Sequence, residues 1–125
     1  MDTPVFEARA IQKHLRRAPR KVRLVADAVR GETVEKAIKR LEFTRKASAE
    51  DVIKVIKSAA ANLRDKFQEE RFDNEDLIIK EIYVDEGVTL KRIQPAPMGR
   101  AHRINKRSCH ITVKVAPRDQ ESVNE

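Results

Sequence analysis

The feature that most restricts what this chain can fold into lies near its end. From Val88 to Arg118, eight basic residues stand without one acid: Lys91, Arg92, Arg100, Arg103, Lys106, Arg107, Lys114 and Arg118. Solvated surfaces intersperse both signs, and a run of one sign repels itself unless a polyanion neutralises it. A second cluster, Arg9 to Arg30, holds Arg9, Lys13, Arg16, Arg17, Arg20, Lys21, Arg23 and Arg30 against Asp27 alone. Residues 31–87 between them carry 11 basic and 14 acidic side chains, a net of −3. The closing stretch Asp119 to Glu125 adds three more acids and reads as a frayed tail.

Within the basic stretch, Pro95-Ala96-Pro97-Met98-Gly99 is a turn, because proline fixes φ and removes a donor while glycine permits reversal. After it, Cys109, Ile111, Val113 and Val115 alternate with Ser108, His110, Thr112 and Lys114, which predicts a half-buried strand. Two extended arms around such a turn make a hairpin. Counted from Val88 to Val115, each arm has about 12 residues and reaches roughly 40 Å at ~3.3 Å per residue. The outer part, Lys91 to Arg107, has too few apolar residues to hold a core. Isolated hairpins are marginal in water, so this arm is expected to need an external surface and to be disordered without one.

The rest of the chain predicts a small core. Phe6 to Leu15 has a period of two, with Phe6, Ala8 and Ala10 on one side and Glu7, Arg9 and Ile11 on the other. Val22, Val25, Ala26 and Val29 follow Pro19 at helical spacing, and Gly31 stands where a helix-terminating glycine belongs. Thr33 is placed to cap a second helix through Val34, Ala37, Ile38 and Leu41. Ser48 and Asp51 resemble a capping box ahead of a long third helix with the stripe Val52, Ile56, Ala59, Ala60, Leu63 and Phe67. From Leu77 a strand is expected, with Ile78, Ile82 and Val84 on one face and Ile79, Glu81, Tyr83 and Asp85 on the other, ended by Gly87. The predicted fold is α+β: a compact domain of three helices packed on a small antiparallel sheet, with a long protruding β-hairpin. One domain is expected over residues 1–125, with the globular part at about 1–87 and 108–118 and the hairpin at about 88–107.

Composition narrows the function. No apolar run approaches the roughly 18 to 20 residues needed to span a bilayer, so no membrane association is expected. The first seven residues lack an apolar h-region, so no secretory signal is expected, and a single cysteine, Cys109, fits a reducing, cytoplasmic setting. His14, His102 and His110 are too dispersed in sequence to suggest a metal site. Cys109 and His110 are neighbours on a predicted strand and point to opposite faces, which opposes a nucleophile–base pair. No catalytic residue, metal or cofactor is expected, and the chain is not read as an enzyme.

Nucleic acid is the natural polyanion, because Lys and Arg neutralise phosphates and release counterions without regard to sequence. Readers of single strands usually carry aromatic platforms. No aromatic follows Val88, and only Phe6 precedes Phe43, so folded RNA recognised by shape and phosphate position is favoured. The segments Val84-Asp85-Glu86-Gly87, Lys91-Arg92, Pro95, Gly99-Arg100-Ala101, Arg103-Ile104, Lys106-Arg107 and His110-Ile111-Thr112-Val113 follow one another at close spacing. Upstream, Arg20-Lys21-Val22-Arg23-Leu24-Val25 leads to Val29-Arg30-Gly31. Together, over residues 6 to 116, these closely resemble the family of bacterial large-ribosomal-subunit protein twenty-two. The resemblance implies a structural constituent of the large subunit that binds rRNA, supports assembly beside other ribosomal proteins, and lines the nascent-peptide exit tunnel with its hairpin tip. No homo-oligomer is expected.

Under that resemblance Lys91, Arg92, Arg100, Arg103, Lys106, Arg107 and His110 are arm contacts to rRNA. Arg20, Lys21 and Arg23, with Arg9, Arg16 and Arg17 of the same cluster, are contacts of the globular part. Pro95, Ala96, Pro97, Met98 and Gly99 form the tip and face the nascent peptide. The family often has a basic or polar residue where this chain has Ala96 and Met98, so this tip is less charged and stiffer, and its outermost turn is expected to face the tunnel lumen. The rival reading is an architectural DNA-binding protein that lays the basic arm in a groove.

Overall fold

Apolar spacing sets the three helices. The computed structural model describes residues 6–95, 97–99 and 101–118. In it α1 spans Pro19–Val29 and buries Val22, Val25, Ala26 and Val29. Gly31 follows with φ +81°, a left-handed conformation that an L side chain resists. The Thr33 hydroxyl accepts from the Lys36 N–H at 3.3 Å and starts α2, Val34–Glu42, which buries Val34, Ala37, Ile38 and Leu41. The longest helix, α3, runs from Ser48 to Lys66 and buries Ala49, Val52, Val55, Ile56, Ala59, Ala60 and Leu63.

The start of α3 differs from the expected capping box. Its N-cap is Ala47, with helical backbone angles and no side-chain cap, while Ser48 is already the first helical residue and is buried. The Asp51 carboxylate instead holds Arg17, with Nε–Oδ2 at 2.6 Å. A stronger charged partner across the fold takes the carboxylate out of local capping.

The strands are β1 (Ala8–Leu15), β2 (Leu77–Glu86), β3 (Leu90–Pro95), β4 (Ala101–Lys106) and β5 (Cys109–Pro117). Three of them form an antiparallel sheet in the order β1-β5-β2. The helices cover one face of it: α3 packs on β1 and β5, α1 on β2, and α2 on α3. On the helix side lie Ala10, Ile79, Ile82, Val84, Ile111, Val113 and Val115, all buried. At one end Phe6 closes the core, its ring edge-on to Phe67 at 4.8 Å and tilted against Phe72 at 5.6 Å.

Two strand expectations are corrected. Strand β5 is more than half-buried: besides Cys109, Ile111, Val113 and Val115, Thr112 and Ala116 are also buried, because β5 is the middle strand with a neighbour on each side. In β2 it is Ile79 that is buried, while Ile78 is only partly covered. The ladder to β5 shifts register between Ile79 and Glu81, so one extra residue, Lys80, is absorbed as a bulge. A bulge resets which side faces the core, so simple alternation placed the two isoleucines the wrong way round.

The outer edge of β2 is closed by the helices. Arg23 Nε donates to the Val84 carbonyl at 3.1 Å, and Arg30 Nη2 donates to the Ile82 carbonyl at 2.8 Å. Ile79 N–H donates to the Glu32 carbonyl at 2.9 Å, and Thr33 bridges Ile78.

Strands β3 and β4 form a separate two-stranded ladder, from Leu90 opposite Lys106 to Pro95 opposite Ala101. Six rungs span about 20 Å. That is shorter than the roughly 40 Å arms expected from Val88 to Val115, because Cys109 onward is built into the sheet. At the junction Gly87 N–H donates to the Ser108 carbonyl at 2.9 Å, and the Ser108 hydroxyl donates to the Val88 carbonyl at 2.7 Å. A Cβ on Gly87 would meet Ser108 Oγ at 2.5 Å, so a side chain there would push that hydroxyl off the Val88 carbonyl.

Candidate nucleic-acid interface

Charge on this fold is sorted by whether a carboxylate reaches it. On the open face of the sheet Arg9 lies opposite Lys114, and Lys114 lies opposite Glu81. Lys114 Nζ sits 3.6 Å from Glu81 and 3.9 Å from Glu7, while Lys80 binds Glu7 at 3.1 Å. The hydrogen bond from Lys80, opposed by some burial and helped by Lys114 and Lys66, holds the Glu7 carboxyl below its ordinary range. Lys114 is thus held by acids of the sheet. Arg23 and Arg30 are engaged on β2 carbonyls, and Arg30 also binds Asp27 at 2.8 Å.

The hairpin differs. All six residues of β3 are exposed, as are Lys106 and Arg107. Among the described residues no ion pair engages Lys91, Arg92, Lys106 or Arg107, nor Arg9, Arg16, Arg20 and Lys21 on the globular part. In register, Leu90 stands opposite Lys106 and Arg92 opposite Ile104, so each of these rungs pairs a cation with an apolar residue. That spacing avoids like charges directly across the ladder. At the turn, Pro97–Gly99, the backbone leaves the helical region: Met98 has φ 66° and is 97% exposed, and Gly99 has φ 75°. Of the expected contacts and tip residues, Ala96 and Arg100, and the side chain of Arg103 with that of His102, lie outside the described residues, as does the tail Asp119 to Glu125.

The base of the hairpin brings the two sequence clusters together. A cleft of about 460 Å³ is lined by Arg16, Arg17 and Ala18 on one side and by Leu90, Arg92, Asn105, Lys106 and Arg107 on the other. Five cations from segments some 75 to 90 residues apart in sequence face one hollow with no acid in its lining. The Arg17–Asp51 bond fixes the near wall of this cleft.

Two expected contacts serve the fold as well. Arg23 keeps its Nε on the sheet edge. His110 is half-buried; its Nδ1 accepts from the His14 N–H at 3.1 Å, and the two rings meet edge-on at 5.1 Å. Two of the histidines that looked dispersed in sequence, His14 and His110, therefore meet, where β1 changes register between Gln12 and Leu15 and His14 takes φ 58°. Cys109 on the opposite face is fully buried, and that burial, with Asp51 nearby, pushes its thiol up. Sequence reasoning missed Lys46 and Leu24. Lys46 sits in the segment of net negative charge, and Leu24 falls off the buried stripe of α1; together with Lys21 they line a groove next to the cleft. Leu24, an aliphatic residue beside Lys21 and Arg23 on the polar side of a helix, was the available signal.

Residues 10–116 match the profile of the family described as ribosomal protein L22p/L17e. Among curated proteins the chain is 49% identical over 114 residues to the large ribosomal subunit protein uL22 of Desulfitobacterium hafniense (strain Y51), covering 91% of this chain and 97% of that one. It is 50% identical over 116 residues to uL22 of Bifidobacterium animalis subsp. lactis (strain AD011), covering 91% and 98%. It is 48% identical over 110 residues to uL22 of Chlorobium phaeobacteroides (strain BS1), covering 88% and 94%.

Proposed function

The chain belongs to the ribosomal protein L22p/L17e family, and from that premise we propose that it is a structural, non-catalytic constituent of the large ribosomal subunit that holds rRNA against its hairpin and the adjoining basic wall. The observation that carries this reading is the acid-free cleft where Arg16 and Arg17 face Arg92, Lys106 and Arg107. Arginine forks suit phosphate oxygens, and a cleft with cations on both walls fits a polyanionic strand better than a flat surface does. The scarcity of aromatics favours recognition by backbone shape over base stacking. Lys91 continues the track outward, and Arg9, Arg20 and Lys21 extend it over the globular part; Arg100 and Arg103 join the proposed contacts from the sequence alone.

The tip completes the proposal. Pro95 to Gly99 line the exit tunnel, and the uncharged, outward Met98 faces the nascent peptide. Other ribosomal proteins pack around the globular part, and the protein acts as a single copy on ribosomes of the cytoplasm. Among the described residues no helix is long and apolar enough to cross a membrane.

The test is binding of the full chain to refolded large-subunit rRNA across a salt series. About eight phosphate contacts give a slope of log K against log salt of roughly −6 to −7. Equal affinity for duplex DNA at moderate salt would overturn the assignment in favour of an architectural DNA binder.

A further inference from the structure

The helices cover one face of the three-stranded sheet, and among the described residues no helix covers the other. Three side chains in register cross that open face: Ile11 of β1, Thr112 of β5 and Tyr83 of β2. Ile11 is 43% and Tyr83 44% exposed, while Thr112 between them is buried. Resting on the reading above that other ribosomal proteins pack around the globular part, we propose that this face docks one of them, through an arginine of that protein laid over the Tyr83 ring between Glu81 and Asp85.

The chemistry is written along β2. Residues two apart on a strand share a face and stand roughly 7 Å apart. Beyond the bulge at Lys80, the run from Glu81 to Asp85 buries Ile82 and Val84 and turns Glu81, Tyr83 and Asp85 outward, an acid on each side of a ring. A guanidinium stacks on an aromatic face and bonds carboxylates through its planar edge, so one arginine can use all three groups. Asp85 is exposed, and among the described residues no ion pair engages it. Its register neighbour His110 is tied to the other side, with Nδ1 accepting from the His14 N–H. Glu81 turns Oε2 toward Lys114 at 3.6 Å and stays half-exposed, which leaves Oε1 for a guest.

Charge selects a polypeptide over RNA as the occupant. Carboxylates on both sides of the ring repel phosphate, whereas the hairpin cleft has no acid in its lining. The cations at the centre of the face are already neutralised, Lys114 by Glu81 and Glu7, and Lys80 by Glu7. Arg9 and Lys13, free of ion pairs among the described residues, stand on β1, at the opposite margin from the acids. Between the margins Ile11 and Thr112 supply an apolar floor, since cross-strand neighbours lie about 5 Å apart. The face therefore fits a segment that brings an arginine over β2 and an aliphatic side chain over Ile11. An aromatic ring meeting an arginine is the pairing on which protein interfaces concentrate their binding energy.

The experiment places a benzophenone side chain at Tyr83, and separately at Ile11, of the full chain and irradiates purified large subunits that carry it. The docking face requires both positions to cross-link to the same ribosomal protein, with an arginine in the peptide linked at Tyr83. A link to rRNA, to a second copy of this chain, or to nothing overturns the face alone. Absence of the parent chain from large subunits overturns the ribosomal reading together with it. The linked protein is then purified and titrated onto the full chain. Asp85→Lys and Tyr83→Ala should each weaken that binding by about 10-fold or more, while Tyr83→Phe, which keeps the ring, stays within about 3-fold of the parent. Tyr83→Ala should unfold at the parent temperature and bind refolded large-subunit rRNA within about 2-fold of the parent. Parent-like binding of the linked protein by Asp85→Lys, no binding by the parent itself, or a lost rRNA affinity in folded Tyr83→Ala overturns the proposal.

Discussion

The globular part and the hairpin are built from the same chain by opposite rules. In the first, apolar side chains from three helices and three strands exclude water, and residues such as Ile56, Leu63, Ile82, Ile111 and Val113 are sealed almost completely. In the second, every residue of β3 is exposed, and Ile93 at 73% and Leu90 at 41% stay open to solvent. Burial of a large aliphatic side chain is worth about 1.5 to 3 kcal/mol, so the first region can order itself and the second cannot. The difference separates two kinds of residue: those that make the fold, and those that wait for a partner to complete it.

That separation can be broken by substitution, and the largest expected effect is in the core. Ile111→Ala should destabilise the chain by about 3 kcal/mol in a urea titration, because the centre of the sheet cannot collapse onto the cavity. A loss below about 1 kcal/mol would mean that the sheet core is not where stability resides. The triple alanine variant at Arg92, Lys106 and Arg107 should do the reverse. Unfolding should shift by less than about 0.5 kcal/mol, while rRNA affinity falls roughly 100-fold and the salt slope shrinks by about 2 to 3. In the free chain, amides of Leu90 to Lys106 should exchange near the unprotected rate while those of β5 are slow, and protection of the ladder without RNA would contradict the contrast.

Smaller effects test the joints. Gly87→Ala drives a methyl into Ser108 Oγ and should cost about 1 to 2 kcal/mol, with the ladder reoriented on the sheet. Gly31→Ala, at φ +81°, should cost about 1 kcal/mol, read from the same titration, although nothing lies within 4 Å of its new methyl. The smallest effect is electrostatic. Glu7 is held below its ordinary range by Lys80, so its contribution is present above the value of a free glutamate and disappears as pH falls through the lowered one. The pair is partly exposed, so no more than about 1 kcal/mol is at stake. Glu7→Gln should therefore lower stability near neutral pH and match the parent in acid; an unchanged difference across the acid range would exclude the pairing as the cause.

Most of the frame was legible in the sequence because helical spacing and strand alternation report burial directly. Val22, Val25, Ala26 and Val29 on α1, and Cys109, Ile111, Val113 and Val115 on β5, needed nothing else. What escaped depends on contacts between distant segments. The bulge at Lys80 exchanges Ile78 for Ile79, and no local signal in Leu77-Ile78-Ile79-Lys80 marks it. Ser48 looked like a cap until Arg17, 34 residues away, claimed Asp51. The cations of the site were visible as two clusters, but charge counting could not tell Arg92 from Arg23, which is already committed to a carbonyl of β2. The meeting of Arg16 and Arg17 with Arg107 is a property of the fold alone.

That commitment of Arg23 and Arg30 has a consequence for the chain before it finds its partner. A three-stranded sheet has two open margins, and an open margin recruits strands from other molecules. Two guanidinium groups, with the loop at Glu32 and Thr33, occupy the margin of β2 where a fourth strand would dock. A newly made copy, crowded among others and still without its RNA, is shielded along that side from zipping onto its neighbours.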